Sequence, residues 1–260
     1  MSYLWSVFTK PWAGMPGAEL GRLVAGIGFG GAEVPVRDTA YVTPANAEAE
    51  LPKFAARLRA EGVAPISVAS DLSEPVFAAC AEAGVPIIRI MAELGADGYA
   101  ASVRRNRALL ERSVVLTERY DVQIGVQPHH GRYVSSTLGV LQLLDGLPER
   151  FKLVWDAAHD ALAGDHPAVT LELGADRLGI VNLKNVHYVR TGSAWKPNFV
   201  EAEDGLSDWP AVFAALQQLG YAGPICLTGQ YSDPAVPVET RLAKDLRFAV
   251  TSAAQHPSGE

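Results

Sequence analysis

Asp156 and His159 stand three residues apart just past the apolar run Phe151–Trp155, in the order FKLVWDAAH. A short apolar run bounded by turn residues is the pattern of a buried parallel strand. The acid then falls where the strand ends, and the imidazole about one turn later. Carboxylates and imidazoles take and return protons near neutral pH, so the pair is a site candidate. It has a second reading: aspartate is a favoured helix cap, and Asp156 can cap the short turn Ala157–Ala163 with His159 packed beside it. Other polar groups bear on the choice. His129 and His130 follow the run Val122–Gln127, and Asn182, Lys184, Asn185 and His187 lie in or beyond Leu178–Leu183. Four of the six histidines thus occur at or just after three such runs, where core strands favour Val, Ile and Leu.

The elements that must position these groups form a regular series. Strand patterns fall at Leu4–Thr9, Gly31–Val34, Pro65–Ala69, Pro86–Ile90, Val122–Gln127, Phe151–Trp155, Leu178–Leu183 and Pro224–Thr228. Helical spacing of apolar residues falls between them: Ala18–Ala25, Ala45–Glu61, Pro75–Ala83, Tyr99–Tyr120, Thr137–Leu144, Ala168–Gly174, Trp209–Leu219 and Val238–Val250. Pro52 predicts that the second helix becomes regular only near Leu51. Asn185–Leu206 reads as a long loop, and long loops at barrel mouths often act as lids. Strands alternating with helices predict an α/β fold with a parallel sheet, and eight units predict a single (β/α)₈ TIM barrel over residues 1–260, with the last ten a loose tail. A doubly wound open sheet is the alternative. Its dinucleotide fingerprint is missing, because the glycines at Gly26–Gly31 follow a helix rather than a strand.

In a barrel, reactive side chains collect at the carboxyl ends of the strands. In chain order those ends offer Lys10; Glu33; Ser70 and Asp71; Arg89 or Glu93; Gln127, His129 and His130; Asp156 and His159; Asn182, Lys184, Asn185 and His187; and Gln230 with Tyr231. Each has a structural reading too. Glu33 can pair with Arg89 or Lys10, and Lys184 with Asp156 or Glu33, since buried charges usually have partners. Trp12, Trp155 and Trp195 are candidates to stack on a sugar face, though a tryptophan at a strand end is more often core. The net charge of −7 argues against nucleic acid as a partner. No cationic leader with a long apolar run and no membrane-length run is visible, so a cytoplasmic protein with no membrane contact is expected. Cys80 and Cys226 sit in apolar contexts without zinc spacing, as buried thiols do.

Several of these pieces resemble a known group. Asp156-Ala-Ala-His159 with Gly164, Val181-Asn182-Leu183-Lys184-Asn185 and Gly220-Tyr221-Ala-Gly223-Pro-Ile-Cys-Leu227 are similar to motifs of the sugar phosphate isomerase/epimerase family, the xylose-isomerase-like barrels. Gly28-Phe29-Gly-Gly-Ala-Glu33 resembles that family's strand-two element. The resemblance runs from about Leu4 to Phe248 and implies the same barrel. It also implies a divalent metal, Mn²⁺ or Mg²⁺, on Glu, Asp, His and Glu after strands five to eight. The matching positions here are Gln127, Asp156, Asn182 and Gln230, so one carboxylate remains of three. Amide oxygens are neutral ligands, and that set disfavours a tightly held metal.

Without the two glutamates, a proton-moving reaction beside a carbonyl needs other groups. Glu33, His129, Asp156, His159 and Lys184 are the candidate catalytic residues, and Lys10, Arg89, Gln127, His130, Asn182 and Gln230 the candidate substrate contacts. The expected activity is a sugar or polyol isomerase, epimerase or related lyase, working with or without metal. The partner is then a small sugar-like molecule, and a homo-oligomer is compatible with it. The alternative is a barrel that has lost catalysis and binds a carbohydrate or a partner protein. An endonuclease-like metal enzyme is the third option; the acidic charge and the missing ligands of a trinuclear centre count against it.

Overall fold

A computed structural model describes residues 3–255 of the chain. Ten strands are present: β1 (Leu4–Phe8), β2 (Gly31–Pro35), β3 (Ala64–Ala69), β4 (Ile87–Met91), β5 (Gln123–Gln127), β6 (Phe151–Asp156), β7 (Leu178–Leu183), β8 (Asn185–Thr191), β9 (Ala194–Val200) and β10 (Pro224–Thr228). The helices are α1 (Gly17–Ile27), α2 (Ala47–Ala60), α3 (Glu74–Ala83), α4 (Tyr99–Tyr120), α5 (Thr137–Leu144), α6 (Ala157–Ala163), α7 (Pro167–Gly174), α8 (Trp209–Gln218) and α9 (Val238–Ala254). Eight parallel strands close in the order β1-β10-β7-β6-β5-β4-β3-β2. The fold is the expected (β/α)₈ barrel, not an open sheet.

The apolar residues separate into two zones because a barrel strand is buried on both faces. Ile66, Ile87, Val154, Ile180 and Cys226 fill the interior, with Phe8 above them. The larger zone lies between strands and helices. In α1, Leu20 and Val24 are buried one turn apart. The helix is closed by Gly28 at φ +114°, with the Gly28 and Phe29 N–H groups on the carbonyls of Ala25 and Val24. A left-handed residue in that place favours glycine. Between β2 and β3 the register shifts by one residue at Ala32/Glu33. Such irregularities re-aim side chains near functional sites, and Glu33 here is buried.

Three expectations change. Asn185–Leu206 is not one loop: Asn185–Val200 forms an antiparallel hairpin, with His187 opposite Asn198 and Val189 opposite Lys196. The signal was Gly192-Ser193 between two seven-residue strands, a two-residue turn with Gly192 at φ +64°. Helix α2 starts at Ala47 and carries Pro52 within it. Proline there forfeits one bond, to the carbonyl of the exposed Glu48, while Ala47, Leu51, Phe54, Ala55 and Leu58 stay buried; apolar burial outweighs the lost bond. The expected ten-residue tail begins too early, since α9 runs to Ala254 and buries Ser252; residues 256–260 lie outside the described ones. Cys80 and Cys226 are free and buried, as read.

Candidate active site

At the carboxyl ends of the barrel strands lies a cavity of about 330 Å³. In and behind its wall runs a chain of buried polar contacts that crosses six strands, β2 to β7. Glu33 on β2 takes hydrogen bonds on Oε1 from Arg89 Nε at 2.7 Å and Ser67 Oγ at 3.0 Å. Arg89 on β4 donates from Nη1 to Gln127 Oε1 at 2.6 Å. Gln127, the last residue of β5, donates from Nε2 to Asp156 Oδ2 at 2.5 Å. Lys184, just past β7, brings its Nζ to 3.2 Å from that oxygen and 2.9 Å from His159 Nε2. The ring of His159 accepts the His130 N–H on Nδ1 at 3.2 Å.

The two oxygens of Asp156 have different partners. Oδ1 accepts the His159 N–H at 3.1 Å and caps α6. Oδ2 meets Gln127 and Lys184. Burial pushes this carboxyl upward, but Lys184, the His159 ring and the capping N–H outweigh it and hold it at about 2. Burial also lowers Lys184 below its ordinary value, against the pull of Asp156. It lowers His159 well below the usual imidazole range, with the charge of Lys184 adding to the effect. The same two causes bring His129 down to about 4. Both rings are therefore neutral at pH 7, with centroids 4.1 Å apart.

Hydrogen bonds assign their protons. His129 Nδ1 lies 2.7 Å from the His130 carbonyl, which can only accept, so the proton is on Nδ1 and the lone pair on Nε2. In His159 the assignment reverses: Nδ1 accepts from a backbone N–H, and a neutral ring carries its proton on Nε2, toward Lys184. Nζ satisfies that proton only as an amine, and satisfies Asp156 as amine or ammonium. Lys184 thus keeps Asp156 as a partner in either protonation state and accepts from His159 as the amine.

The residues do not fit a divalent cation. Of the four family-equivalent positions, Gln127 Oε1 already accepts from a guanidinium and Asp156 Oδ2 already meets Lys184 Nζ and Gln127 Nε2. The amides Asn182 and Gln230 complete the set and line the cavity, and among the described residues no three His, Cys, Asp or Glu side chains converge as ligands. The Arg89 guanidinium and the Lys184 amino group lie where a metal would need its ligands free.

Of the sequence candidates, Lys10, Arg89, Gln127, His129, Asn182, Lys184 and Gln230 line the cavity. Glu33, Asp156 and His159 are buried behind them. His130 contributes its N–H to His159. Others fall elsewhere. Glu93 and Asp71 are exposed, and Asp71 turns back on Ser73. Asn185 is a structural clasp, donating to the carbonyls of Ala202 and Ser207 and accepting the Val186 and Ser207 N–H groups. That clasp explains Gly205, where a Cβ would come within 2.2 Å of Asn185 Oδ1. His187 is held in the hairpin by Asn198 and the Asp204 carbonyl. No tryptophan lines the cavity: Trp155 is buried, Trp12 bonds Glu239 and Trp195 is exposed on β9. Phe8, Met91 and Tyr231 supply the apolar wall instead. Arg37 lines the cavity as well and was missed; its position two residues past a strand end was the available signal.

Comparison with known proteins adds the following. A family model described as the xylose isomerase-like TIM barrel matches residues 22–251. An inosose dehydratase of Lacticaseibacillus casei is 25% identical over 138 residues, 48% of this chain and 46% of that protein. The chain spans about half the length of the curated relatives it matches. Among solved structures, an L-ribulose 3-epimerase superposes with a TM-score of 0.77 at 13% identity, covering 98% of this chain and 96% of that one. A 3-keto-D-glucoside 4-epimerase from E. coli gives 0.73 at 15% identity, covering 96% of this chain and 100% of that one. At such identities the likeness is one of fold. Among the described residues, no helix is long and apolar enough to cross a membrane.

Proposed function

Because the chain belongs to the xylose isomerase-like TIM barrel family, we propose that it is an isomerase, epimerase or dehydrating lyase for a sugar-like ketone, moving a proton at the carbon beside the carbonyl without a metal. The observation that carries this reading is Lys184, a buried amine held between Asp156 and His159 at the cavity wall. Lys184 takes the proton. His159 and Asp156 hold its Nζ in place, and Asp156 accepts from it in both of its protonation states. Arg89 stays charged at any working pH and steadies the developing enediolate oxygen, the task a metal performs elsewhere; Glu33 and Gln127 fix its position. His129, with a free lone pair on Nε2, is a second proton acceptor for removal from the opposite face; in a dehydration the ammonium formed on Lys184 returns its proton to the departing hydroxyl, which leaves as water. Asn182 and Gln230 bind hydroxyls. The dehydratase and epimerases named above support the reaction class, since both chemistries begin by removing such a proton.

The test follows deuterium. Chelator-treated protein is incubated in D₂O with a panel of ketoses and keto-polyols, and exchange beside the carbonyl is read by NMR. Exchange is expected for a member of the panel, abolished in Lys184→Met and slowed about 10²-fold or more in His129→Phe. Exchange that needs added Mn²⁺, or that survives Lys184→Met, sinks the proposal. Saturable binding of panel members with no exchange of any of them favours the binding-only barrel.

A further inference from the structure

We infer that the ligand of this cavity carries an anionic group, a carboxylate or a phosphate ester, held by Arg37 and Lys10 at the mouth. The inference rests on the sugar-handling reading above and narrows its substrate class. The chain as a whole is acidic, at −7, yet the cavity wall holds Lys10, Arg37, Arg89 and Lys184 and no carboxylate. Two of those cations are balanced from behind, Arg89 by Glu33 at 2.7 Å and Lys184 by Asp156 at 3.2 Å. The other two are not. Among the described residues no carboxylate lies within ion-pair distance of Arg37 or Lys10.

Arg37 is no free surface arginine. Its N–H bonds the Val42 carbonyl at 3.2 Å, and its carbonyl accepts the Ala40 N–H at 2.9 Å. Its guanidinium carbon lies 5.7 Å from the centre of the Phe8 ring, which Arg89 also covers at 4.7 Å. Two guanidiniums thus share one phenyl ring beside a cavity. Burial and the charge of Arg89 act against the charged form of Arg37 and outweigh the more distant pull of Glu33, which makes no ion pair with it. A structural arginine in such a place would have an acid partner; this one presents unused donors of a fork that matches carboxylate or phosphate oxygens. An anion there relieves the repulsion between the two guanidiniums and leaves the rest of a polyol to reach the amides and Lys184.

Calorimetric titration of the full chain with three six-carbon polyols tests this: sorbitol, sorbitol 6-phosphate and gluconate. At least one anion is expected to bind about tenfold or more tighter than sorbitol, and Arg37→Gln to remove that advantage while leaving sorbitol unchanged. Preference between the two anions identifies the group. Equal affinity for all three, no binding of either anion at millimolar concentration, or an Arg37→Gln loss shared by sorbitol overturns the inference. The readout is binding, so it stands or falls independently of deuterium exchange. Arg37 is half-buried in a loop, and the circular dichroism of the variant verifies its fold.

Discussion

Asp156 and Asp160 are buried acids on successive turns of the same exit from β6, and their surroundings differ in kind. Asp156 faces the cavity wall, where Lys184 and Gln127 meet one oxygen and the α6 N–H meets the other. Asp160 points between helices: Thr137 of α5 donates to Oδ1 at 3.0 Å and Thr170 of α7 to Oδ2 at 2.7 Å, while Trp155 donates to the Thr170 hydroxyl at 3.1 Å. Burial acts upward on both carboxyls. At Asp160 it prevails over the two hydroxyls and lifts the acid to about 6; at Asp156 the cation and the imidazole overcome it and the acid falls to about 2. The same residue type at the same strand exit thus does two jobs. With a cation it fixes a charge beside a cavity. With neutral donors it ties three elements together and remains able to take up a proton near neutral pH.

The contrast breaks most severely at the cation. Lys184→Met leaves Asp156 buried and uncompensated, which costs about 3–5 kcal/mol in typical cases. Urea unfolding is expected to show a loss of that order, with the Asp156 carboxyl moving up toward the behaviour of Asp160. A loss under about 1 kcal/mol would mean that the ion pair does not set the difference. Adding Asp156→Asn to Lys184→Met removes the orphaned charge while keeping a good cap. The double variant is therefore expected to unfold closer to wild type than Lys184→Met alone, a coupling readable from a double-mutant cycle. Turnover stays absent in both, because the amine is missing.

How far these two acids were legible in sequence differs as well. Asp156 ends an apolar strand and stands three residues before a histidine, so its cap and its place at a strand end followed from type and spacing. Asp160 carries no such signal. Its partners, Thr137 and Thr170, lie 23 and 10 residues away and meet it only through the packing of α5 and α7. The barrel was legible for the same reason as Asp156: burial on both faces writes apolar runs into every strand. The hairpin Asn185–Val200 was not, because most of its strand residues are exposed or only half-buried and Trp195, Lys196 and Arg190 hide the alternation. Arg37 escaped because it sits beyond its strand, held by backbone bonds that no residue type announces.

On the Asp160 side, the larger effect comes from Thr170→Val. It is nearly isosteric and deletes the hydroxyl that serves both Trp155 and Asp160. An indole N–H and a carboxylate oxygen then lose their partner, a cost of about 1–3 kcal/mol. With one donor gone, the Asp160 carboxyl is expected to rise beyond about 6, a shift that carbon-detected NMR titration of the side chain reads directly. A carboxyl that stays in place would show that the hydroxyls contribute little and that burial alone sets it.

The smallest effect at pH 7, and the sharpest test, is Asp160→Asn. Asparagine spares the cost of a buried charge but loses one acceptor, and the two terms offset to within about 1 kcal/mol. The difference appears as pH changes. The ordinary value for this acid is 3.8 and its folded value is about 6, so between those limits the folded chain holds more protons than the unfolded one. Stability contributed by the protonated acid is then full below pH 3.8 and lost as pH rises through 6. The wild type minus Asp160→Asn difference is therefore expected to fall by something on the order of 3 kcal/mol between pH 4 and 7. Taking the difference matters because Asp245, bonded to Tyr231 and the Ala202 N–H, is also lifted by burial to about 6. Its slope is present in both proteins and cancels, so a flat difference would leave Asp160 as charged in the fold as Asp156.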